Sequence, residues 1–163
     1  LHIGGHSAGS IFQAHSLARL FKIDETLKVD SLHLMAPAIS YPLFNETLAP
    51  LIESEHIAST TVYNLSGPLE KDDHVARIYQ KSLLYLVSNA FESKTAMPLL
   101  GMAAFNAPIA NVTFKYSEGK EGDSTAATSH GGFDSDVDTM NSVLTDITGG
   151  SPKYPFTKAI LDY

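Results

Sequence analysis

The chain has 163 residues, of which 44% are hydrophobic and 18% charged, and this composition indicates one folded domain over residues 1–163 and excludes wholesale disorder. The net charge is −7 at pH 7 and the Lys and Arg residues are scattered, which argues against a nucleic-acid partner, because such proteins usually present a basic face. Cysteine is absent, which excludes disulfides, thiolate metal sites and cysteine catalysis and leaves the compartment undecided. The longest apolar runs have about five residues, as at 83–87, whereas a membrane-spanning helix needs about 20.

The first half of the chain alternates between strand and helix patterns. Residues 1–3 form an apolar stub that runs into glycine, with neither Met nor a signal-peptide pattern, so we expect a chain cut from a longer protein. From Ser10 to Lys22, apolar residues recur at three- and four-residue spacing and predict a helix. Three further segments are predicted: a strand at Ser31–Met35, a helix at 44–58 that Pro50 kinks or divides, and a strand at Thr60–Leu65.

The second half continues the alternation. Residues 75–91 predict a long helix that is apolar over much of its circumference and therefore largely buried. Residues 112–116 predict a strand, which a polar loop follows. The last helix is expected to have Asp134 or Ser135 as its N-cap and to stop at Gly149. Because strands alternate with helices throughout, the predicted fold class is α/β, with a mostly parallel sheet and helices on both faces.

Residues 5–9, Gly-His-Ser-Ala-Gly, carry the strongest chemical signal in the sequence. They fit the pattern G-x-S-x-G between a strand stub and a helix, where a serine on a sharp turn has an exposed hydroxyl. Gly5 and Gly9 lack the Cβ atoms that would collide where strand and helix come together. The helix N-terminus leaves the Ala8 N–H free to stabilise an oxyanion beside Ser7. The plainer interpretation is a tight strand-to-helix turn with a buried serine.

A serine nucleophile needs a histidine base. His130 is the candidate, because it lies in a glycine-containing loop between the last strand and the last helix, although an ordinary surface histidine would fit there too. His6 adjoins the serine in sequence, and its side chain is expected to diverge, which makes it a poor base. His15 and His33 fall in core-like elements and are expected to be packed.

The base in turn needs a carboxylate that orients it, and this acid is expected in the charged loop just after the strand Thr60–Leu65. Asp72 and Asp73 are both candidates, and Asp72 is preferred because it starts a D-x-x-V run typical of acid loops. Glu70 is a third choice. One of the two aspartates could instead cap the helix that follows, and both roles can coexist.

The order of Ser7, then Asp72 or Asp73, then His130 resembles the α/β-hydrolase superfamily, in particular its serine esterases and lipases. Residues 5–9 are similar to its nucleophile elbow, and the resemblance covers residues 1–148, the C-terminal half of that fold. It implies that the first strands and the loop with the second oxyanion donor precede this chain. It also implies a bare sheet edge, which the missing segment as a second chain, or self-association, would cover.

The resemblance implies a serine hydrolase that cleaves a small carboxylic ester or acyl substrate through an acyl-enzyme, without cofactor or metal. Thioesterase, acyltransferase, lipase or amidase chemistry on the same triad stays open, because loops build the substrate pocket. A non-catalytic hydrolase-like binding module also stays open, as does a domain whose 5–9 turn holds an anion at a helix N-terminus. Three aspartates, at 134, 136 and 138, have the spacing of a calcium loop but lack its Gly and Glu, and are expected in a first helical turn.

Overall fold

A four-stranded parallel sheet is the centre of the computed structural model, which describes residues 1–73, 82–91 and 96–161. The spatial order of the strands follows the chain order. The strands are β1 (His2–His6), β2 (Ser31–Met35), β3 (Thr60–Leu65) and β4 (Val112–Ser117). β2 and β3 are buried along their whole length, as central strands of a parallel sheet are, whereas the edge strands β1 and β4 are partly exposed.

Helices connect the strands and follow the last one. In the described ranges they are α1 (Gly9–Ile23), α2 (Tyr41–Glu53), α3 (Gly67–Asp72), α4 (Leu83–Leu86), α5 (Val137–Thr148) and α6 (Lys158–Leu161). A π-helical turn continues α4, and two 3₁₀ turns occur later, at Ala103–Phe105 and His130–Gly132. None of these described helices has both the length and the apolar character that crossing a membrane requires.

Alternating side chains of the strands divide the core into two layers. Leu32, Leu34 and Val62 pack on one face of the sheet against α1 and α2, whose buried residues recur at helical spacing: Ala14, Leu17, Phe21, Phe44, Leu48 and Ile52. On the other face, residues of β2 and β3 pack against the α5 region in a second layer, which contains Met35, Tyr63, Leu65, Phe133, Met140 and Val143. The predicted fold class, a parallel sheet with helices on both faces, is confirmed.

The predicted strands at Ser31–Met35 and Thr60–Leu65 match β2 and β3, whereas the helix predicted at 44–58 has different ends. It begins at Tyr41 because the Ser40 hydroxyl caps it, accepting a hydrogen bond from the Leu43 N–H at 3.5 Å. Pro50 lies inside this helix without dividing it.

The long helix predicted over 75–91 is not a single α-helix. Residues 75–81 of it lie outside the described residues. Ser82 has an extended backbone, with φ −58° and ψ 157°, and α4 begins only after it. The Ser82 N–H donates to the Glu70 carbonyl at 3.0 Å, so a tertiary contact with α3 takes the place of a helical hydrogen bond.

The predicted N-cap of the last helix is also wrong. Asp136 caps α5, and its carboxylate accepts hydrogen bonds from the N–H groups of Thr139 and Ala126, each at 2.9 Å. The bond from Ala126 ties the cap to the preceding loop, a contact that local spacing does not reveal. Gly149 ends the helix in the left-handed conformation with φ 69°, which confirms the predicted stop.

α3 was not predicted, since residues 67–72 were expected as a charged loop. Pro68 in its first turn has the backbone angle that a helix start needs. Glu70 near the positive end and Lys71 near the negative end also suit the helix dipole.

Candidate active site

Ser7 lies at the turn between β1 and α1, in a backbone conformation that residues other than glycine rarely adopt. Its φ is 51°, which costs an L-residue on the order of 1–3 kcal/mol. Two hydrogen bonds to the segment after β2 hold it there. The Ser7 N–H donates to the Met35 carbonyl at 2.9 Å, and the Ser7 carbonyl accepts from the Ala38 N–H at 3.1 Å. The turn therefore presents the serine hydroxyl at the carboxyl end of the sheet.

The two glycines of this turn are not equivalent. A Cβ on Gly5 would lie 3.1–3.2 Å from backbone atoms of Gly9 and Ser10, so the strand and the helix approach closely only because residue 5 has no side chain. A Cβ on Gly9 would meet no atom within 4 Å. The predicted steric reason therefore holds for Gly5, and for Gly9 it is wrong.

His130 lies against Ser7, on the short 3₁₀ turn that follows β4. Its Nε2 is 2.8 Å from the Ser7 Oγ, and the residue is only 6% exposed. Burial and, as a smaller cause, the neighbouring His6 together lower the pKa of His130 to about 4, while Asp73 opposes the shift. The imidazole is therefore neutral at pH 7, and a neutral ring with its proton on Nδ1 can accept the serine proton at Nε2.

Asp73, not Asp72, reaches the His130 turn. The Asp73 carboxylate accepts a hydrogen bond from the backbone N–H of His130 at 2.8 Å. Asp72, the preferred acid in the sequence analysis, is exposed on the last turn of α3. The Nδ1 of His130 is buried and has no hydrogen-bond partner within the described ranges, so the carboxylate holds the backbone of the base rather than its ring.

Glu70, the third candidate for the acid, is buried one turn before Asp73. It is 1% exposed, and its Oε1 accepts a hydrogen bond from the Ala103 N–H at 3.0 Å. Burial raises the pKa of Glu70 to about 7, against the smaller opposing effects of the Ala103 bond and Lys71. Glu70 thus ties α3 to the segment after α4 and makes no described contact with His130.

Ala8 follows the serine at the N-terminus of α1. Its carbonyl accepts hydrogen bonds from the N–H groups of Ile11 and Phe12, whereas its own N–H has no acceptor among the residues described. This N–H lies next to Ser7 and at the positive end of a 15-residue helix. It is placed to donate to negative charge that develops beside the serine oxygen.

His6 contacts the candidate base in a way that sequence reasoning missed. Its Nε2 is 2.7 Å from the His130 carbonyl oxygen, and its Nδ1 is 3.6 Å from the Asp134 carboxylate. The two imidazole rings have their centroids 5.5 Å apart. The side chain does diverge from Ser7, as expected, but towards the turn that carries His130. Its place beside the serine at a strand end was the only available signal.

Two further histidines, His33 and His15, lie away from Ser7 in ordinary surroundings. His33 is 1% exposed and bonds the Ser31 hydroxyl through Nε2 at 2.8 Å, as a packed histidine does. His15, predicted to be packed, is exposed on the outer face of α1. Within the described part of the chain, no group of three or more His, Asp or Glu side chains is arranged to hold a metal ion.

Comparisons with known proteins add no relative. No protein-family model, curated protein or solved structure matches this chain. The interpretation of the site therefore depends on its own geometry.

Proposed function

We propose that this chain is a serine hydrolase of the α/β-hydrolase type, which cleaves a carboxylic ester through an acyl-enzyme. The observation that carries the proposal is the 2.8 Å contact between the Ser7 Oγ and the Nε2 of the neutral, buried His130. Nucleophile and base within hydrogen-bond distance are the minimal arrangement for covalent acyl transfer. The positive φ of Ser7, on a strand-to-helix turn, supports the nucleophile role independently.

The proposed reaction has two halves. In the first, the Ser7 Oγ attacks the acyl carbonyl carbon while the Nε2 of His130 accepts the hydroxyl proton, and the Ala8 N–H donates to the oxyanion. The intermediate then expels the alcohol, which takes its proton from His130. In the second half, water gives a proton to His130 as it attacks the acyl carbon, and Ser7 leaves with that proton restored. Each step uses groups of the chain and water alone.

Asp73 is the proposed acid of the triad. Its carboxylate is next to the base and opposes the lowering of the pKa of His130, which is the electrostatic effect that stabilises an imidazolium. Accepting the serine proton makes His130 cationic, with its Nδ1–H buried. Because an unpaired buried N–H costs about 1–3 kcal/mol, we infer that an Asp73 oxygen turns towards Nδ1 as the charge forms.

We further propose that the outer edge of β1 is covered in the working protein, by another segment of the same protein or by self-association. In the described residues β1 pairs with β2 only, and His2 and Gly4 are exposed. Such an edge carries backbone groups that another strand can pair with. Sedimentation of the purified chain tests this, since a stable monomer that is fully active would contradict it.

Hydrolysis of short nitrophenyl esters tests the proposed function. We expect a burst of nitrophenol as the acyl-enzyme forms, followed by slower turnover, and we expect Ser7→Ala to abolish both. A parallel series of thioesters and anilides would show which acyl chemistry is preferred. Folded protein with neither a burst nor steady turnover on any of these substrates would favour a non-catalytic binding module instead.

A further inference from the structure

The backbone of His130 is held by side chains from two different elements. Its N–H donates to the Asp73 carboxylate at the end of α3, at 2.8 Å. Its carbonyl oxygen lies 2.7 Å from the Nε2 of His6, at the end of β1. The turn between these two contacts carries the imidazole that meets Ser7. Because both polar groups of the backbone are held, the direction of the Cα–Cβ bond from which the imidazole extends is held as well.

We propose that His6 is a positioning residue, which holds the His130 turn through its carbonyl so that the ring of the base meets Ser7. The inference depends on the proposed function, since positioning matters only if His130 acts on the serine. His6 adjoins Ser7 in the chain, so one rigid strand end fixes the nucleophile and the carbonyl of its base together. A misplacement of about 1 Å between such groups can cost roughly 100-fold in rate.

The contacts of His6 define its hydrogen-bonding role. A carbonyl oxygen can only accept, so the Nε2 of His6 must carry a proton. The Nδ1 lies 3.6 Å from a carboxylate oxygen of Asp134, which is beyond hydrogen-bond distance and forms an ion pair only with a doubly protonated ring. The His6 ring also packs near Phe133, with centroids 6.4 Å apart. Two properties of His6 could therefore matter, the Nε2 donor and the ring itself, and they can be separated by substitution.

Substitutions at residue 6 separate the donor from the ring. His6→Gln keeps an N–H donor three bonds from Cβ and loses the ring. His6→Phe keeps a ring of similar size and loses the donor. His6→Asn keeps an amide that is one methylene too short to reach the carbonyl, and it replaces the Phe variant if that variant does not fold. His15→Phe, on the exposed face of α1, is the matched control for a histidine-to-phenylalanine change.

Two readouts test the proposal. The first is the rate at which a fluorophosphonate labels Ser7, by forming a bond from the serine Oγ to phosphorus and expelling fluoride, for which we expect a loss of about 10- to 100-fold in His6→Phe and His6→Asn and less than about fivefold in His6→Gln. The second is the nitrogen-15 spectrum of the His130 ring, which reports its tautomer and pKa without any reaction. At pH 7 we expect His6→Gln to keep the wild-type tautomer of the His130 ring and the other two variants to change it. The pKa of His130 does not discriminate among the variants, because each of them removes the imidazole that lowers it.

The outcomes separate this proposal from the proposed function. Melting temperatures show whether His6→Phe and His6→Asn are folded. If the folded variants keep both the labelling rate of Ser7 and the wild-type His130 tautomer, His6 has no positioning role. If the fluorophosphonate does not label Ser7 of the wild-type protein, the proposed function fails, and the spectra still decide whether His6 holds the turn. If the labelling rate of Ser7 falls as much in His6→Gln as in His6→Phe, the Nε2 donor is not the property that matters and the proposal is overturned.

Discussion

Burial of His130 has two opposing effects on proton transfer from Ser7. Burial keeps the imidazole neutral, which leaves Nε2 ready to accept a proton. The same burial disfavours the imidazolium that forms once the proton is accepted. A nearby carboxylate relieves this conflict, because it stabilises the cation more than the neutral ring. Asp73 is the carboxylate in that place, at 2.8 Å from the backbone of the base.

Exchanging the two adjacent aspartates for asparagine distinguishes their roles. We expect Asp73→Asn to lower the rate at which a fluorophosphonate labels Ser7 by roughly 10²- to 10⁴-fold, since a neutral amide does not stabilise the imidazolium. Asp72→Asn is the matched control and should stay within about twofold of wild type, because Asp72 is exposed. Labelling rates of the three proteins at pH 7 provide the measurement. Equal losses in both variants would mean that the carboxylates act through local structure.

The sequence could predict that Ser7 and His130 belong to one candidate site, but not which aspartate lies beside them. Ser7 lies in a five-residue pattern with its own structural context, and His130 lies in a distinctive glycine loop. Asp72 and Asp73 are neighbours, and the choice depends on where α3 ends. Successive residues of a helix differ by about 100° around its axis, so only one of two neighbours can face the turn. Because the sequence predicts a loop where α3 lies, it does not show which of the two aspartates faces the His130 turn.

Glu70 gives stability a pH dependence of defined sign. Its pKa is 4.5 in its ordinary state and is raised to about 7 by burial in the fold. The unfolded chain therefore loses this proton at lower pH than the folded chain does. As pH rises from 4.5 to 7, the free energy of unfolding falls, by up to about 3 kcal/mol, and the deficit is complete above pH 7.

Glu70→Gln removes this dependence, because an amide has the same shape and no charge. We expect the variant to be more stable than wild type at pH 8 and equal or slightly less stable at pH 4.5. Urea unfolding at the two pH values measures the difference. Glu53→Gln, an exposed carboxylate on α2, is the control and should show no such crossover. Parallel pH profiles of wild type and Glu70→Gln would contradict the account.

At the scale of elements, the approach of β1 to α1 sets the geometry of the turn that carries Ser7. Gly5→Ala places a methyl group 3.1–3.2 Å from rigid backbone atoms, so we expect a loss of about 1–3 kcal/mol in the free energy of unfolding. Gly9→Ala meets open space at a helix start and should be neutral or stabilising by up to about 1 kcal/mol. Thermal unfolding of both variants measures the contrast, and equal effects would be inconsistent with the described turn.

Elements with strong periodicity could be predicted from the sequence, and elements defined by tertiary contacts could not. β2 and β3 have the predicted bounds, because continuous apolar and β-branched runs leave few alternatives. The start of α4 depends on the Ser82 N–H, which bonds the Glu70 carbonyl. The cap of α5 depends on Asp136, whose carboxylate also holds the Ala126 N–H. Neither contact is visible in local spacing.

At the scale of the whole molecule, the topology explains why distant residues meet. His6 is the last residue of β1 and Ser7 follows it, Asp73 follows β3 and α3, and His130 follows β4. In a parallel sheet, the segments after the strands all begin at the same edge, which is where such folds place their sites. Residues more than 120 positions apart, such as Ser7 and His130, are thereby brought into contact.

The central claim is that His130 activates Ser7, and labelling with a fluorophosphonate followed by mass mapping tests it most directly. We predict one adduct on Ser7 in the wild-type chain and none in Ser7→Ala or His130→Ala. Ser142→Ala is the control and should label like wild type, because the Ser142 Oγ accepts a hydrogen bond from the Nζ of Lys115 at 2.9 Å and has no base like His130 beside it in the described residues. An adduct on another serine, undiminished labelling of His130→Ala, or no labelling of folded wild-type protein would contradict the account.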